Sequence, residues 1–354
     1  MKKTLMTTKE KRVLCGISKC PHLSDSDLSS IINVKLSTFT AIKRRLLKQG
    51  FFRVIIVPML NNLGSELLGV TYTQFNPVIP LEERVKTTRK TIEVFDEIFF
   101  SVGEQEKGFS LNISKNYTNI GRINEIRTET FGKVGLLEKE YPNEVIFPFE
   151  TSNITHFFDY TRALSKMFGE EDITNTSVKK DGWFKNTKSI ELSRKEKLVL
   201  SAIVKNPMAT SQKIGDVVGL SRHTVSRMKK HFFEIGLLKQ LILPDLYKLG
   251  FEILSLYHVN FDPHKAPSSK DIDKLDTAYT VFLGNRKFEA VLISVYPTYQ
   301  EYKKDMMDKI RFLKENDLIS SPPMINEYLL DRTIFIKDFN FAPITTKILR
   351  NRDK

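Results

Sequence analysis

The chain contains one pattern twice, and this internal repeat limits its fold more than any other feature. When the 354-residue sequence is shifted by 186 positions, matching residues recur in one ungapped register. The register begins with Lys9-Glu10-Lys11 on Lys195-Glu196-Lys197 and ends with Pro77 on Pro263. A register that holds for about seventy residues predicts two copies of one folding unit.

The second copy opens with a signal for a capped helix. Ser193 and Glu196 have the spacing of a capping box, and Asn206-Pro207 ends the helix that this box begins. A second helix follows from about Thr210, with the apolar residues Ile214, Val217 and Val218 predicted to point inward.

A tight turn and a third helix follow in the second copy. Gly219 can adopt the positive φ that a tight turn requires, Ser221 caps the third helix, and Gly236 ends it. A short helix, a turn with glycine and a capped helix form the helix-turn-helix pattern. The strand from Leu237 to Ile242, closed by Pro244, lies where a wing is expected.

The third helix carries the chemistry of a nucleic-acid contact. Val225, Met228 and Phe232 recur at helical spacing and form its predicted buried stripe, so its basic and hydroxyl residues face outward. Arginine can read base edges, whereas hydroxyls and lysines suit phosphates. A merely solvated basic helix would have the same composition, but the cap and turn favour DNA binding. The predicted contacts are Ser221, Arg222, His223, Thr224, Ser226, Arg227, Lys229, Lys230 and Lys239.

The first copy repeats this frame with different side chains. Leu28, Ile31 and Ile32 form the predicted inner face of its second helix, and Asn33 replaces the turn glycine, as asparagine can at positive φ. Its predicted DNA contacts are Ser37, Thr38, Thr40, Lys43, Arg44, Lys48 and Arg53.

Positive charge is concentrated in these two segments. Residues 1–56 hold twelve Lys/Arg and three Asp/Glu, a net +9, and residues 191–243 hold ten and four, a net +6. Because the whole chain carries +13, the remainder is close to −2. Such a distribution favours a polyanionic partner bound at the two helix-turn-helix segments.

Each helix-turn-helix is followed by an alternation of strands and helices. In the first copy the order is a strand near 67–75, a helix near 82–93, two strands, a helix near 117–130 and a strand near 145–149. In the second copy the last strand region is predicted near 328–336. The order β-α-β-β-α-β predicts a ferredoxin-like sheet, so the fold class is α+β.

Five segments follow from these patterns. Residues 1–62 are the first winged helix-turn-helix, 63–172 the first α/β domain and 173–190 a linker rich in Asn, Thr, Ser and Lys. Residues 191–248 are the second winged helix-turn-helix, and 249–354 are the second α/β domain.

The second copy resembles the Lrp/AsnC (feast/famine) transcription regulators. The resemblance rests on the run from Leu220 to Lys230, on Gly236-Leu237-Leu238 and on the stretch from Pro244 to Gly250 before the α/β domain. It implies sequence-specific binding of double-stranded DNA and homo-oligomers formed through the α/β domains. Family members often bind amino acids, but the hairpin from Gly284 to Glu289 is longer than theirs, so a small-molecule effector has no predicted site.

Two other functions remain open from the sequence. Fused two-copy chains of this architecture are also similar to sirohaem decarboxylases, for which His258 and Arg286 are the suggestive pair, with His156 isolated. The other open function is that of an architectural protein that binds DNA without sequence specificity. The expectation is a regulator without enzymatic activity, one chain acting as a pseudo-dimer whose two unlike recognition helices lie roughly 34 Å apart.

Other classes of site lack their signals. The chain has two cysteines, Cys15 and Cys20, without metal-binding spacing, and it has no phosphate loop, metalloprotease motif or nucleophile elbow. No catalytic residue, metal ligand or cofactor is therefore predicted. So few cysteines favour the cytoplasm, and neither a signal peptide nor a membrane segment is expected.

Overall fold

The computed structural model describes residues 6–137, 140–173, 182–185 and 189–351. The first copy has three helices and a strand, and then two helices and four strands. These elements are α1 (Thr8–Lys19), α2 (Asp25–Ile31), α3 (Leu36–Lys48), β1 (Phe52–Pro58), β2 (Leu67–Gln74), α4 (Leu81–Glu93), β3 (Ile98–Gly103), β4 (Lys107–Ser114), α5 (Tyr117–Lys133) and β5 (Asn143–Pro148). A strand and a helix then follow before the second copy, β6 (Asn153–Phe157) and α6 (Thr161–Phe168).

The second copy repeats this order. Its elements are α7 (Arg194–Lys205), α8 (Ser211–Val218), α9 (Arg222–Glu234), β7 (Leu238–Pro244), α10 (Leu246–Leu249), β8 (Ile253–Asn260), α11 (Ser269–Leu275), β9 (Thr280–Arg286), β10 (Glu289–Tyr296), α12 (Tyr299–Glu315) and β11 (Met324–Leu329). The final strand and helix are β12 (Ile334–Lys337) and α13 (Ala342–Asn351).

Helices of the two copies begin at equivalent residues. Thr7 and Glu10 form a capping box at the start of α1, and Ser193 and Glu196 form the same box at the start of α7. In each box the side chains satisfy backbone N–H groups that the first helical turn leaves without partners. The predicted box is therefore confirmed.

Turns of the two copies also fall in the repeat register. Positive φ occurs at three pairs of positions separated by 186 residues, where a Cβ is disfavoured. The pairs are Asn33 (53°) with Gly219 (70°), Gly50 (69°) with Gly236 (69°), and Gly64 (90°) with Gly250 (97°). The prediction that Asn33 takes the role of the turn glycine is confirmed.

Each copy forms an antiparallel sheet with the strand order of a ferredoxin-like domain. The first sheet has the order β12-β3-β4-β2-β5, and the second has the order β11-β8-β10-β9-β6. The four strands of one copy supply the contiguous part of each sheet, and two of the copy's helices cover it. The α+β class with a β-α-β-β-α-β order is thus confirmed.

The fifth strand of each sheet comes from outside its own copy. β6 follows the first copy in sequence but pairs with β9 of the second sheet. β12 follows the second copy but pairs with β3 of the first sheet. The helices that follow these strands instead contact the copy that precedes them in sequence, because α6 packs on α1 and α13 packs on α7.

This exchange corrects one sequence prediction. The stretch near 328–336 is not one strand region, since β11 ends at Leu329 in the second sheet and β12 begins at Ile334 in the first. An intervening turn and a change of sheet separate them. β6, α6 and α13 were not predicted either.

The described residues cluster into two compact units that do not follow chain order. One unit comprises Met1–Val54, Ser152–Trp183 and Gln240–Asp331, and so holds α1 to α3 and the second sheet. The other comprises Ile55–Thr151, Phe184–Lys239 and Arg332–Lys354, and so holds the first sheet and α7 to α9.

The cores follow most of the predicted apolar stripes. In α3 and α9 the inward residues Phe39, Val225 and Phe232 are all fully buried. The prediction is wrong for Ile31 and Val217, which are 54% and 77% exposed at equivalent positions near the ends of α2 and α8. Both side chains point to solvent from the last turn of their helix, so periodicity alone placed these two residues on the wrong side.

Among the described residues, no helix combines the length and the apolar character needed to cross a bilayer.

Candidate nucleic-acid interface

The helix-turn-helix of the second copy is fixed by short-range geometry. α8 ends at Gly219, whose φ of 70° turns the chain toward α9. Ser221 Oγ then accepts a hydrogen bond from the Thr224 backbone N–H at 3.2 Å and begins α9. A Cβ at Gly215 would lie 2.5 Å from the Leu220 carbonyl oxygen, so glycine permits the close approach between α8 and the turn.

The outer face of α9 carries the residues best suited to read DNA. Arg222, His223, Ser226 and Arg227 are exposed, opposite the buried stripe. Within the described part of the chain, Arg222 and Arg227 make no hydrogen bond or ion pair. Their guanidinium groups are therefore available to an external acceptor.

The remaining predicted contacts of the second copy are less open. Lys229 is half-buried, and burial lowers its pKa. Thr224 and Lys239 are half-buried as well. Lys230 is exposed and lies 3.7 Å from Glu234, a surface ion pair that contributes little. The structure thus separates the nine predicted residues into an exposed group led by the two arginines and a partly covered group.

The first copy presents a different helix. α3 begins after Lys35, which makes no side-chain hydrogen bond to cap it. Ser37 lies in the first turn of the helix and is exposed. The residue of the second copy that is equivalent to Lys35 is Ser221, which caps α9. The helices α3 and α9 therefore differ at the residue that precedes their first turn.

Basic residues of α3 are partly held by carboxylates of the same winged helix. Lys43 Nζ lies 2.6 Å from Asp25 Oδ1, and Arg45 Nη2 lies 2.6 Å from Glu10 Oε1. Thr40 Oγ1 is 3.5 Å from Asp25 Oδ2, at the limit of a hydrogen bond. These contacts reduce the charge that α3 can offer to a phosphate.

Other predicted contacts of the first copy remain accessible. Arg44 and Lys48 are exposed and make no hydrogen bond or ion pair within the described residues. Arg53 is exposed on β1, and Thr38 is half-buried on α3. The first copy therefore keeps a small basic surface.

The two arginines of α9 have no counterpart in α3. In the repeat register Arg222 aligns with Leu36 and Arg227 aligns with Ala41. Leu36 is 47% exposed, and Ala41 is exposed too, so the corresponding face of α3 is apolar there. Sequence reasoning counted basic residues in each helix and missed this, although the register contained the information.

A separate group of charged side chains lies in the second sheet, with His258 and Glu289 buried and Arg286 exposed. His258 Nε2 on β8 lies 2.8 Å from Glu289 Oε1, and Arg286 Nε donates to Glu289 Oε2 at 2.5 Å. Burial alone would raise the pKa of Glu289, but the hydrogen bond from His258 and the charge of Arg286 lower it. His258 and Arg286, the pair suggested by the sequence, are thus joined through Glu289, which was not predicted from the sequence.

His156 belongs to a second group of this kind. Its Nε2 lies 2.7 Å from Asp276 Oδ2, and Arg162 from α6 donates to the other oxygen of the same carboxylate. Burial would raise the pKa of Asp276, but the hydrogen bond from His156 and the charges of His156 and Arg162 hold it well below its usual value. The interpretation of His156 as isolated is wrong, because β6 carries it into the second sheet.

A buried lysine completes the polar interior of this domain. Lys309 on α12 is 5% exposed and pairs with Asp305 one turn earlier. Tyr296 donates a hydrogen bond to Asp305 Oδ2 at 2.6 Å. Burial lowers the pKa of Lys309, against the opposing charge of Asp305. In the described residues, no group of three or more His, Cys, Asp or Glu side chains is arranged to hold a metal ion.

Comparisons with known proteins connect the chain to a fold. No protein-family model matches the sequence, and no curated protein matches it. Among solved structures, the siroheme decarboxylase NirDL matches over 98% of this chain and 100% of its own, with 10% identity and a TM-score of 0.50. NirDL in complex with an iron-uroporphyrin III analogue matches equally well. At this identity the similarity shows a shared two-copy fold.

Single-copy structures match a smaller part of the chain. A transcriptional regulatory protein of the AsnC family from Pyrococcus furiosus covers 41% of this chain and 90% of its own, with 17% identity and a TM-score of 0.30. A TM-score this low supports no conclusion about function.

Proposed function

We propose that the chain is a transcription regulator without enzymatic activity that binds double-stranded DNA in a sequence-specific manner through α9. The observation that carries the proposal is the pair Arg222 and Arg227, exposed and without internal partners on a capped helix that follows a tight turn. A helix in this position of a helix-turn-helix enters the major groove with its first turns.

The chemistry of α9 fits this role. Arginine donates two parallel hydrogen bonds to the O6 and N7 acceptors of guanine, which is the commonest specific contact in the major groove. Ser226 and Lys230, exposed on the same helix, suit phosphate oxygens. The net +6 of residues 191–243 adds attraction for a polyanion.

The first copy takes a supporting role in this proposal. With Leu36 and Ala41 at the positions of the two arginines, α3 has no side chain for bidentate base reading there. Arg44, Lys48 and Arg53 remain exposed for phosphate contacts. A bound site would then have one half read in detail and one half with weak sequence preference.

The test is selection from a random double-stranded DNA pool, followed by fluorescence anisotropy with a salt titration on the recovered sequence. We expect one strongly conserved half-site and a log affinity that falls linearly with log salt. Arg222→Ala should relax preference at one base position, whereas Arg311→Ala, a change of an exposed arginine on α12, should leave affinity and preference unchanged.

Two outcomes would contradict this function. Binding without any enriched sequence would indicate an architectural DNA-binding protein. No binding at low salt would exclude DNA as the partner.

A second candidate function is an enzyme that acts on a tetrapyrrole carboxylate. It is favoured by the full-length fold shared with NirDL and by two histidine–carboxylate pairs, each with an arginine on the same carboxylate, His258–Glu289–Arg286 and His156–Asp276–Arg162. Adding iron-uroporphyrin III and recording its absorption spectrum tests this candidate. A saturable change that His258→Ala removes would support it, and an unchanged spectrum would exclude binding of this tetrapyrrole.

A further inference from the structure

The helix-sheet layers of the two α/β domains differ in polarity. In the second domain, fourteen buried residues form one apolar cluster between sheet and helices. In the first domain, Ile92, Phe95, Ile98 and Ile123 form one small cluster, and Phe75, Phe131 and Leu136 form another, separate one.

Polar residues cover the first sheet under α5. Glu144, Thr71 and Ser110 lie directly opposite one another on β5, β2 and β4, so they share one face. Thr73 lies two residues along β2 on the same face, opposite Gly108. Thr71, Thr73 and Ser110 are each at most 1% exposed. In the second copy Tyr257 and Val259 are equivalent to the two threonines, and Leu292 lies opposite Tyr257 as Ser110 lies opposite Thr71.

α5 places a buried cation over this polar face. Arg127 is 4% exposed, and its Nη1 donates to Ser110 Oγ at 3.0 Å. Its Nε has no hydrogen-bond partner among the residues that the structure describes, and neither do Thr71 Oγ1 and Thr73 Oγ1. Burial lowers the pKa of Arg127 to about 10. A buried guanidinium and buried hydroxyls without partners are costly unless a bound group satisfies them.

The second copy shows what the first one lacks. Arg127 aligns with Lys309, because α5 and α12 are both seventeen residues long and begin at Tyr117 and Tyr299. Lys309 is neutralised by Asp305, and the residue equivalent to Asp305 is Ile123. The first domain therefore keeps the cation of this layer without the carboxylate that pairs with it in the second.

Glu144 is the nearest internal countercharge in the first domain. Its charge acts on Arg127, yet the two side chains share no hydrogen bond in the described part of the chain. Burial raises the pKa of Glu144, against the lowering effect of a hydrogen bond from Asn124 and of the charge of Arg127. Glu144 thus compensates Arg127 less directly than Asp305 compensates Lys309.

We propose that the first α/β domain binds a small carboxylate in the layer between α5 and the strands β5, β2 and β4, with Arg127 as its cationic anchor. The guanidinium fork matches a carboxylate in two parallel hydrogen bonds. Thr71 and Thr73 donate to the remaining oxygen lone pairs. This site is independent of DNA binding, so either proposal can fail alone.

The experiment is thermal unfolding of the full chain with acetate, succinate or citrate at constant ionic strength. Acetamide and succinamide serve as neutral analogues, and inorganic phosphate as an anion of different shape. A ligand that binds only the folded state raises the midpoint by roughly 2 °C at a tenfold excess over its Kd. We expect a saturable rise with at least one carboxylate and none with its amide.

Variants locate the effect. Arg127→Met should abolish the rise, Arg127→Lys should restore part of it, and Arg122→Met, an exposed change on the same helix, should leave it intact. If Arg127→Met does not fold, the double change of Thr71 and Thr73 to valine should weaken the response at least fivefold. The proposal fails if no carboxylate exceeds its amide, if the response survives Arg127→Met, or if phosphate stabilises the chain more than every carboxylate.

Discussion

The two copies share a backbone but divide their chemistry in opposite ways. At the recognition helix, the second copy leaves its arginines free, whereas the first pairs Lys43 with Asp25 and has Leu36 and Ala41 at the arginine positions. In the helix-sheet layer it is the second copy whose cation is paired with an internal carboxylate. There the second copy pairs its buried Lys309 internally, and the first does not pair its Arg127 with a carboxylate in the described residues.

This difference shows what duplication constrains. The capping boxes of α1 and α7 and the positive-φ turns are kept in register, because losing them would change the path of the chain. Exposed faces and the polar content of a core layer have diverged, since several side chains are compatible with one backbone. A pair of copies can therefore carry different side chains at equivalent positions while the fold stays constant.

The largest effect on DNA affinity should come from replacing the two exposed arginines of α9 with the residues found at the equivalent positions of α3. Arg222→Leu combined with Arg227→Ala removes both candidate base contacts, each about 1–3 kcal/mol, so the pair should weaken binding of the selected DNA by about 2–6 kcal/mol. Fluorescence anisotropy measures this. Leu36→Ala changes the position of α3 that is equivalent to Arg222, and it should alter DNA affinity less than twofold. A loss of affinity as large as that of the α9 variant would mean that both copies read bases.

The next largest effect concerns the buried pair of the second copy. Asp305→Ala leaves the charge of Lys309 buried without its carboxylate, so the free energy of unfolding should fall by about 3–5 kcal/mol. Arg127→Met, which removes the equivalent cation of the first copy, should cost less than about 1.5 kcal/mol without ligand. Urea unfolding followed by circular dichroism compares them, and similar losses would mean that Arg127 is fully compensated within the protein.

A smaller effect is expected at the helix starts. Ser221→Ala removes the cap of α9 and should destabilise the protein by about 1 kcal/mol. Lys35→Ser offers α3 the cap that it lacks and should stabilise by up to that amount. Thermal unfolding of the two variants measures both, and a neutral Ser221→Ala would show that packing alone fixes the start of α9.

The smallest effect should be found at the turn. Gly219→Ala places a Cβ at a φ of 70° and should cost about 1 kcal/mol, whereas Asn33→Gly should change stability by only a few tenths of that. The same unfolding assay resolves the difference between the two changes. An equal cost at both positions would break the equivalence of the two turns.

Part of the candidate site was predictable and part was not. The cap at Ser221, the turn at Gly219 and the buried stripe through Val225 and Phe232 follow from local preferences, and the structure contains all of them. The salt bridge from Lys43 to Asp25 was not foreseen, because it joins α2 to α3 through the angle between the helices. The role of Arg127 was not foreseen either, since burial of a charge cannot be inferred from helical periodicity when the opposing sheet face is polar.

The repeat, the order of elements and the residues at which helices begin and turns bend can all be derived from the amino-acid sequence. Those signals act within a few residues, through backbone dihedral preferences and short hydrogen bonds. The pairing of β6 with the second sheet and of β12 with the first is evident only in the folded chain, and the pairing of β6 brings His156 to Asp276. A strand of five residues pairs with whichever sheet edge the connecting chain can reach, and neither its composition nor its alternation specifies that edge.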